Sequence, residues 1–268
     1  MGKISKETVA RPLILVTNDD GISAHGIRFL VDVMQELGAI VVVAPNSPQS
    51  GMGHAITIGN TLRLDETDIF GSKVRAFECS GTPVDCVKLA KCIVLEGKKP
   101  DLVVSGVNHG SNSSISVLYS GTMSAAIEAA IEGIPSIGFS LCDYSPNADF
   151  SHAKEHIKQL AFQVLKSGLP AGVTLNVNIP AKSKTKIRGI KICRQAKAKW
   201  QELFEERKDP HGRRYFWMKG SFINQDKVED TDEWALQNNY IAVVPVMFDL
   251  TAYYAIPTIS AEWEMKLS

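Results

Sequence analysis

The chain has 268 residues, 44% of them apolar, which suits one large domain with a sizeable core. Its 29 basic and 29 acidic residues cancel, so no overall field draws it to nucleic acid or to a membrane surface. No segment approaches the roughly 20 apolar residues of a spanning helix, the polar start "MGKISKETVARP" carries no signal region, and the five cysteines form no C-x-x-C pair, a pattern that reads as a cytoplasmic protein with reduced thiols.

Strand-like and helix-like runs alternate along the chain. "PLILVTN" (12–18) is a buried strand that runs into Asp19, Asp20 and Gly21. "GIRFLVDVMQELG" (26–38) has helical periodicity and a terminal glycine, and "AIVVVAP" (39–45) is a second strand stopped by proline. "ITIGNTLRL" and "KVRAFECS", within 56–80, suit short strands. "PVDCVKLAKCIVL" (83–95) is a helix with proline at its first turn. "DLVVSG" (101–106) is a strand, "TMSAAIEAAIEG" (122–133) a helix and "PSIGFSL" (135–141) a strand. "AKEHIKQLAFQVLKSG" (153–168) is a helix, followed by the strand "GVTLNVNIP" (172–180).

This alternation predicts a Rossmann-like α/β fold: a mostly parallel sheet with helices on both faces, over residues 12–181. Residues 182–268 lose the alternation. They predict β-hairpins, an acidic loop around Glu229–Glu233, one more strand "YIAVVPVMF" and an extended C-terminal tail, integral to the same domain. The basic run from Lys182 to Lys199 is spaced by two at first, as on the outer face of a strand, and reads as a solvated edge rather than a nucleic-acid surface.

In open α/β sheets ligands sit beyond the carboxyl ends of the strands. Asp19 and Asp20 follow the first strand, Ser50 lies in the loop after the second, and Asn108, His109 and Asn112 follow "DLVVSG". Ser120, Gly121 and Thr122 open the next helix. Two adjacent carboxylates repel and cost free energy to bury unless a cation compensates them. Asp19, Asp20, Ser50 and the amide carbonyl of Asn108 form an oxygen-only donor set for a hard cation such as Mg²⁺, Mn²⁺ or Ca²⁺. The Ser120-Gly121-Thr122 turn offers free N–H groups and a helix dipole for phosphate, and Asn112 is assigned to the substrate side of the same pocket. Each feature alone has a plainer explanation: a turn with a helix cap for the aspartates, an ordinary cap for the Ser-Gly-Thr run, packing or solvation for His109, solvent for Glu128. Their coincidence at several strand ends favours a site for phosphoryl chemistry. A receiver domain is excluded because the later strand ends on Ser105 and Gly106, a D-x-D phosphatase because position 21 is glycine, and a P-loop because its motif is absent.

The blocks "ILVTNDDGISAHGI", "VVVAPNSPQSG", "GTPVDCV", "PDLVVSGVNHGSN" and "YSGTMSAAIEAAIEG" resemble the SurE family of stationary-phase survival proteins, as do "DPHGRRYFWMKG", "TDEWALQNNYIAVVPV" and "DLTAY". The resemblance runs over roughly residues 12–255, in the family's order. It implies a metal-dependent nucleotidase that releases phosphate from nucleoside 5′- and 3′-monophosphates, extending in some members to short polyphosphate. The family's ligand pattern falls on Asp19, Asp20, Ser50 and Asn108, and its phosphate pocket on Ser120, Gly121 and Thr122. Asp19 is the group expected nearest the attacking water, as ligand and base. The chain departs from the family where Ser113-Ser114-Ile115-Ser116 replaces a leucine-glycine-x-aspartate run, which bears on substrate preference. The alternative is a nucleotide-binding sensor that keeps the pocket without turnover.

All four tryptophans, with several phenylalanines and tyrosines, fall within residues 196–268. Aromatic surface on hairpins and a tail suits packing on a second subunit. SurE-like proteins pair through exchanged C-terminal segments, and a homodimer or dimer of dimers is expected.

Overall fold

The computed structural model describes residues 11–145 and 147–263. Five apolar runs become adjacent parallel strands: β1 (Leu13–Thr17), β2 (Ala39–Pro45), β5 (Leu102–His109), β6 (Ser136–Cys142) and β7 (Val173–Pro180). The edges are added by β3 (Leu64–Thr67), antiparallel to β4 (Arg75–Cys79), and by β11 (Ile241–Met247), antiparallel to β7 and carrying β8 (Ile190–Ile192). The nine-stranded order is β3-β4-β2-β1-β5-β6-β7-β11-β8.

Strand side chains alternate between faces, so each strand feeds two cores. Ile14 and Val16 of β1 join Val42, Val104 and Phe139 under α1 (His25–Gln35) and α4 (Lys154–Ser167), where Leu30, Met34 and Ile157 meet them. Leu15 points the other way, with Val41, Val43 and Val103, under α2 (Pro83–Leu89) and α3 (Gly121–Ile131), which supply Val87, Ala125 and Ala129. Each fully buried valine, leucine, isoleucine, methionine or phenylalanine among them contributes about 1.5–3 kcal/mol, which is why these continuous apolar runs are committed to the middle of the sheet. The mostly parallel sheet covered on both faces is the architecture expected.

Several local expectations differ. "ITIGN" forms no strand; only Leu64–Thr67 of that region pairs, at the antiparallel edge. The helix from Pro83 ends at Leu89 and continues as a wide π turn over Ala90–Val94. The stretch 181–189 is not a strand, and β8 is three residues long. The acidic loop is a turn at Glu229 and Asp230 that runs into helix α5 (Asp232–Gln237): Thr231 caps it, accepting from Trp234 N–H at 3.2 Å, and Asp232 and Glu233 favour its positive end. The tail contains α6 (Ile256–Glu262), none of whose residues is buried. Its last five residues, 264–268, lie outside the described residues. The expected hairpin is present as β9 (Ala198–Lys208) and β10 (Arg214–Asn224), a separate two-stranded sheet.

The chain moves outward from β1 through β2 to β4, then returns to lay β5 against β1 on its other side. The carboxyl ends of β1 and β5 therefore flank a topological switch point, the crevice where this class of sheet binds ligands.

Candidate active site

The register Thr17↔Ser105 brings the two strand ends together. Gly21 adopts φ +97°, a left-handed turn that glycine takes without steric cost, and Asn18 Nδ2 donates to Gly21 O at 2.8 Å to hold it. Asp19 is buried at the centre of this turn and Asp20 is partly buried beside it. The Gln49 N–H donates to Asp19 O at 2.7 Å, which brings the loop carrying Ser50 against the turn. Asn108 Nδ2 donates to Gly110 O at 2.8 Å, so the amide's oxygen is its free acceptor. Ser50 is exposed and its hydroxyl makes no hydrogen bond among the described residues.

Helix α3 begins directly over Asp19. The Thr122 hydroxyl donates to Asp19 Oδ1. Gly121 is needed for this approach: a Cβ there would sit 2.7 Å from Asp19 Cβ and 2.9 Å from Oδ2. Ser120 is the N-cap, its Oγ accepting from Met123 N–H at 3.0 Å. The cap and the site thus occupy one turn of chain.

Asp19 and Asp20 form no ion pair with lysine or arginine among the described residues. Asp20 has His109, whose N–H and Nδ1 lie 3.4 Å and 3.3 Å from Oδ2. The His109 ring packs edge-on to Phe150, centroids 5.1 Å apart, so it is a packed histidine that also touches the acid pair. Burial, opposed by Thr122 and reinforced by the Asp20 charge, raises Asp19 from an ordinary 3.8 to about 6. Asn18 Oδ1 is buried without a partner. Two carboxylates lacking a cationic side chain, with neutral oxygens around them, fit a hard dication. No group of three His, Cys, Asp or Glu side chains that could hold a metal exists among the described residues, so the fit rests on the mixed oxygen set alone.

Asn112 stands apart from this set. It is buried; its Nδ2 donates to Ser140 Oγ at 2.8 Å, its N–H donates to Asn178 Oδ1 at 2.8 Å, and its carbonyl accepts from Asn176 Nδ2 at 2.8 Å. These bonds fix the 110–114 loop. Ser113 and Ser114, where the chain departs from the family pattern, tie that loop to α5: Ser113 Oγ donates to Glu233, and Ser114 N–H donates to Asp232 Oδ2 at 2.7 Å. Sequence reading passed over Asn176 and Asn178, though two asparagines spaced by two on a buried strand share one face and need partners there. Glu128 is also buried rather than solvent-facing, accepting from Lys88 Nζ at 2.5 Å and His54 Nε2 at 3.0 Å.

A family description, "Survival protein SurE", matches residues 14–202. The chain belongs to the SurE family. A protein of Cytophaga hutchinsonii named 5'-nucleotidase SurE is 66% identical over 256 residues, covering 96% of this chain and 98% of that one. A 5'-nucleotidase SurE of Flavobacterium psychrophilum is 62% identical, covering 96% and 100%. The crystal structure of the SurE protein of Aquifex aeolicus has a TM-score of 0.81 at 38% identity, covering 93% of this chain and 99% of that one. These SurE proteins match almost end to end, so the hairpin and most of the C-terminal region are within the shared length.

Proposed function

We propose that this SurE protein is a divalent-cation-dependent phosphomonoesterase that hydrolyses nucleoside 5′-monophosphates, and 3′-monophosphates, to nucleoside and phosphate. The observation that carries the reading is the contact between the buried Asp19 carboxylate and the first turn of α3 at the β1–β5 switch point. It sets an acid pair suited to a cation beside a helix end suited to a phosphate. The names of the relatives supply the nucleotide.

Asp19, Asp20, Ser50 and Asn108 would hold one Mg²⁺ or Mn²⁺ per subunit. When bound, such an ion supplies Lewis-acid neutralisation of phosphate charge and acidification of water. The chain supplies the rest. The first-turn N–H groups at Gly121 and Thr122 orient the phosphate and meet charge that develops on its oxygens. Thr122 fixes Asp19 through Oδ1, leaving Oδ2 to take the proton of the attacking water. Asn112, through Ser140, Asn176 and Asn178, holds the loop after Asn108 in place.

A cytoplasmic location belongs to the same reading and is supported by the five free cysteines. No described helix is long and apolar enough to cross a membrane. It acts as a homodimer or dimer of dimers, supported by the exposure of Phe204, Phe216, Trp217, Tyr253, Tyr254 and Trp263 on the hairpin and tail. The basic run from Lys182 to Lys199 is read as a solvated edge rather than a nucleic-acid surface. Part of the basic run is occupied internally: Lys182 pairs with Asp149, Arg194 with Asp226 and Asp230, and Lys191 lies 4.3 Å from the Trp234 ring.

Phosphate release from a panel of nucleoside monophosphates with Mg²⁺ or Mn²⁺ tests the reading. Release is expected with either metal; nucleotide binding without release would replace the enzyme with the sensor.

A further inference from the structure

Glu128 sits two turns into α3, with its carboxylate buried between two other elements. On one side Lys88 of α2 donates to it at 2.5 Å. On the other is His54 Nε2, at 3.0 Å, on the loop that carries Ser50 four residues earlier. Burial alone would raise the Glu128 pKa, but the hydrogen bonds from His54 and Lys88 outweigh it and lower it. An ionised carboxylate only accepts, so His54 Nε2 carries the proton and donates.

The loop is fastened at both ends and little between. At its start the Gln49 N–H holds Asp19 O at 2.7 Å. Past His54, Thr82 Oγ1 donates to Ala55 O at 2.8 Å, and the Thr57 N–H and hydroxyl donate to Asp85 at 3.1 Å and 2.6 Å. Between these points the loop is steadied by the Gly53 N–H on Tyr119 O at 3.3 Å and by His54 on Glu128. Both attachments run to α3 or to the turn leading into it. Ser50 itself is exposed and makes no hydrogen bond that would fix it.

We propose that Glu128 is a positioning residue for the cation site: by accepting the His54 hydrogen bond it fixes where the 46–54 loop holds Ser50 relative to Asp19. Because Glu128 and Thr122 share one helix, the loop and the Asp19 carboxylate are referenced to the same rigid body. A neutral hydroxyl on an exposed loop contributes to cation binding only when its position is set in advance, and outer partners of ligands are typically worth 10–100-fold in affinity. This inference rests on the cation site proposed above.

The test is calorimetric titration of Mn²⁺ into the full, metal-stripped chain, with nucleotide turnover measured in parallel. Glu128→Gln keeps the volume and removes the charge that holds His54. It should weaken Mn²⁺ binding by about 10-fold and leave KM for the nucleotide unchanged once Mn²⁺ saturates. His54→Gln, on a half-exposed loop residue, should weaken Mn²⁺ equally, and the double variant should be no worse than either. Lys88→Met removes the other donor to Glu128 without touching the loop and should cost clearly less Mn²⁺ affinity than His54→Gln. Wild-type Mn²⁺ affinity in His54→Gln overturns the proposal, whether or not Glu128→Gln folds. So does an equal loss in Lys88→Met. Asp20→Asn separates the two claims: it should abolish Mn²⁺ binding, and if binding survives there, the cation site itself is wrong.

Discussion

The Thr122 hydroxyl donates a hydrogen bond to Oδ1 of Asp19, joining positions 103 apart in sequence. It makes the helix end and the acid pair one unit. Removing the hydroxyl should therefore harm the carboxylate as well as the phosphate pocket. Thr122→Ala is expected to lose about 1–3 kcal/mol of transition-state stabilisation, a roughly 5- to 150-fold fall in kcat/KM, and to weaken inhibition by inorganic phosphate. Thr122→Ser, which keeps the donor, should stay near wild type. Unchanged phosphate inhibition in Thr122→Ala would count against the placement.

Gly121 marks how closely the helix approaches. A methyl group there would sit 2.7 Å from Asp19 Cβ, so either the helix or the aspartate must move. Overpacking of this kind costs about 1–3 kcal/mol in stability, while misplacing a reacting group by about 1 Å can cost about 10²-fold in rate. Gly121→Ala should thus lose far more activity than its melting temperature suggests. A variant with wild-type kcat/KM would show that the helix end is not part of the site.

The metal-free protein should carry a measurable cost at Asp19. With its pKa raised to about 6, mainly by burial, the folded chain keeps a proton that the unfolded chain releases above its ordinary 3.8. Stability then falls as pH rises between these two values and stays low above them. At 1.36 kcal/mol per pH unit the loss approaches about 3 kcal/mol at pH 8. Asp19→Asn should be more stable than wild type at pH 8 without metal, by up to that amount, and no more stable at pH 4. Saturating Mn²⁺ should raise the melting temperature of wild type and leave the variant unmoved. Equal urea midpoints at pH 8 would remove the cost.

The positions of the side chains that make up the candidate site were largely legible because strand ends are. Asp19, Asp20 and Asn108 lie where continuous apolar runs stop, and a parallel sheet must gather such stops at one edge. The connections between them were not legible. Glu128 is one polar residue in an alanine-rich helix, and nothing local reveals that Lys88 and His54 arrive from two other elements. α5 was hidden by its acidic composition, although Thr231 followed by two acids is a helix-start pattern. The first half of the basic run was misread as a strand because spacing by two on a charged segment reports no burial; within 182–199 only Ile190–Ile192 and the first residues of β9, Ala198 and Lys199, find a partner strand.

The proposed pairing rests on the exposed hairpin and tail. No residue of α6 is buried, and Tyr253 and Tyr254 are exposed beside it. Light scattering should find a dimer or a dimer of dimers for the full chain and a smaller species for a chain ending at Pro257. A monodisperse monomer of the full chain would refute the assembly. A dimer that survives truncation would leave the pairing and remove the tail from its cause.

The most direct measurement is phosphate release from a nucleoside 5′-monophosphate by wild type, Asp19→Asn and Asp20→Asn, each in saturating Mn²⁺ and each shown to be folded. Turnover by wild type and its loss in both variants, with melting temperatures held or raised in the absence of metal, is the expected result. Wild-type rates in either variant would contradict the assignment of the acid pair as the catalytic cation site.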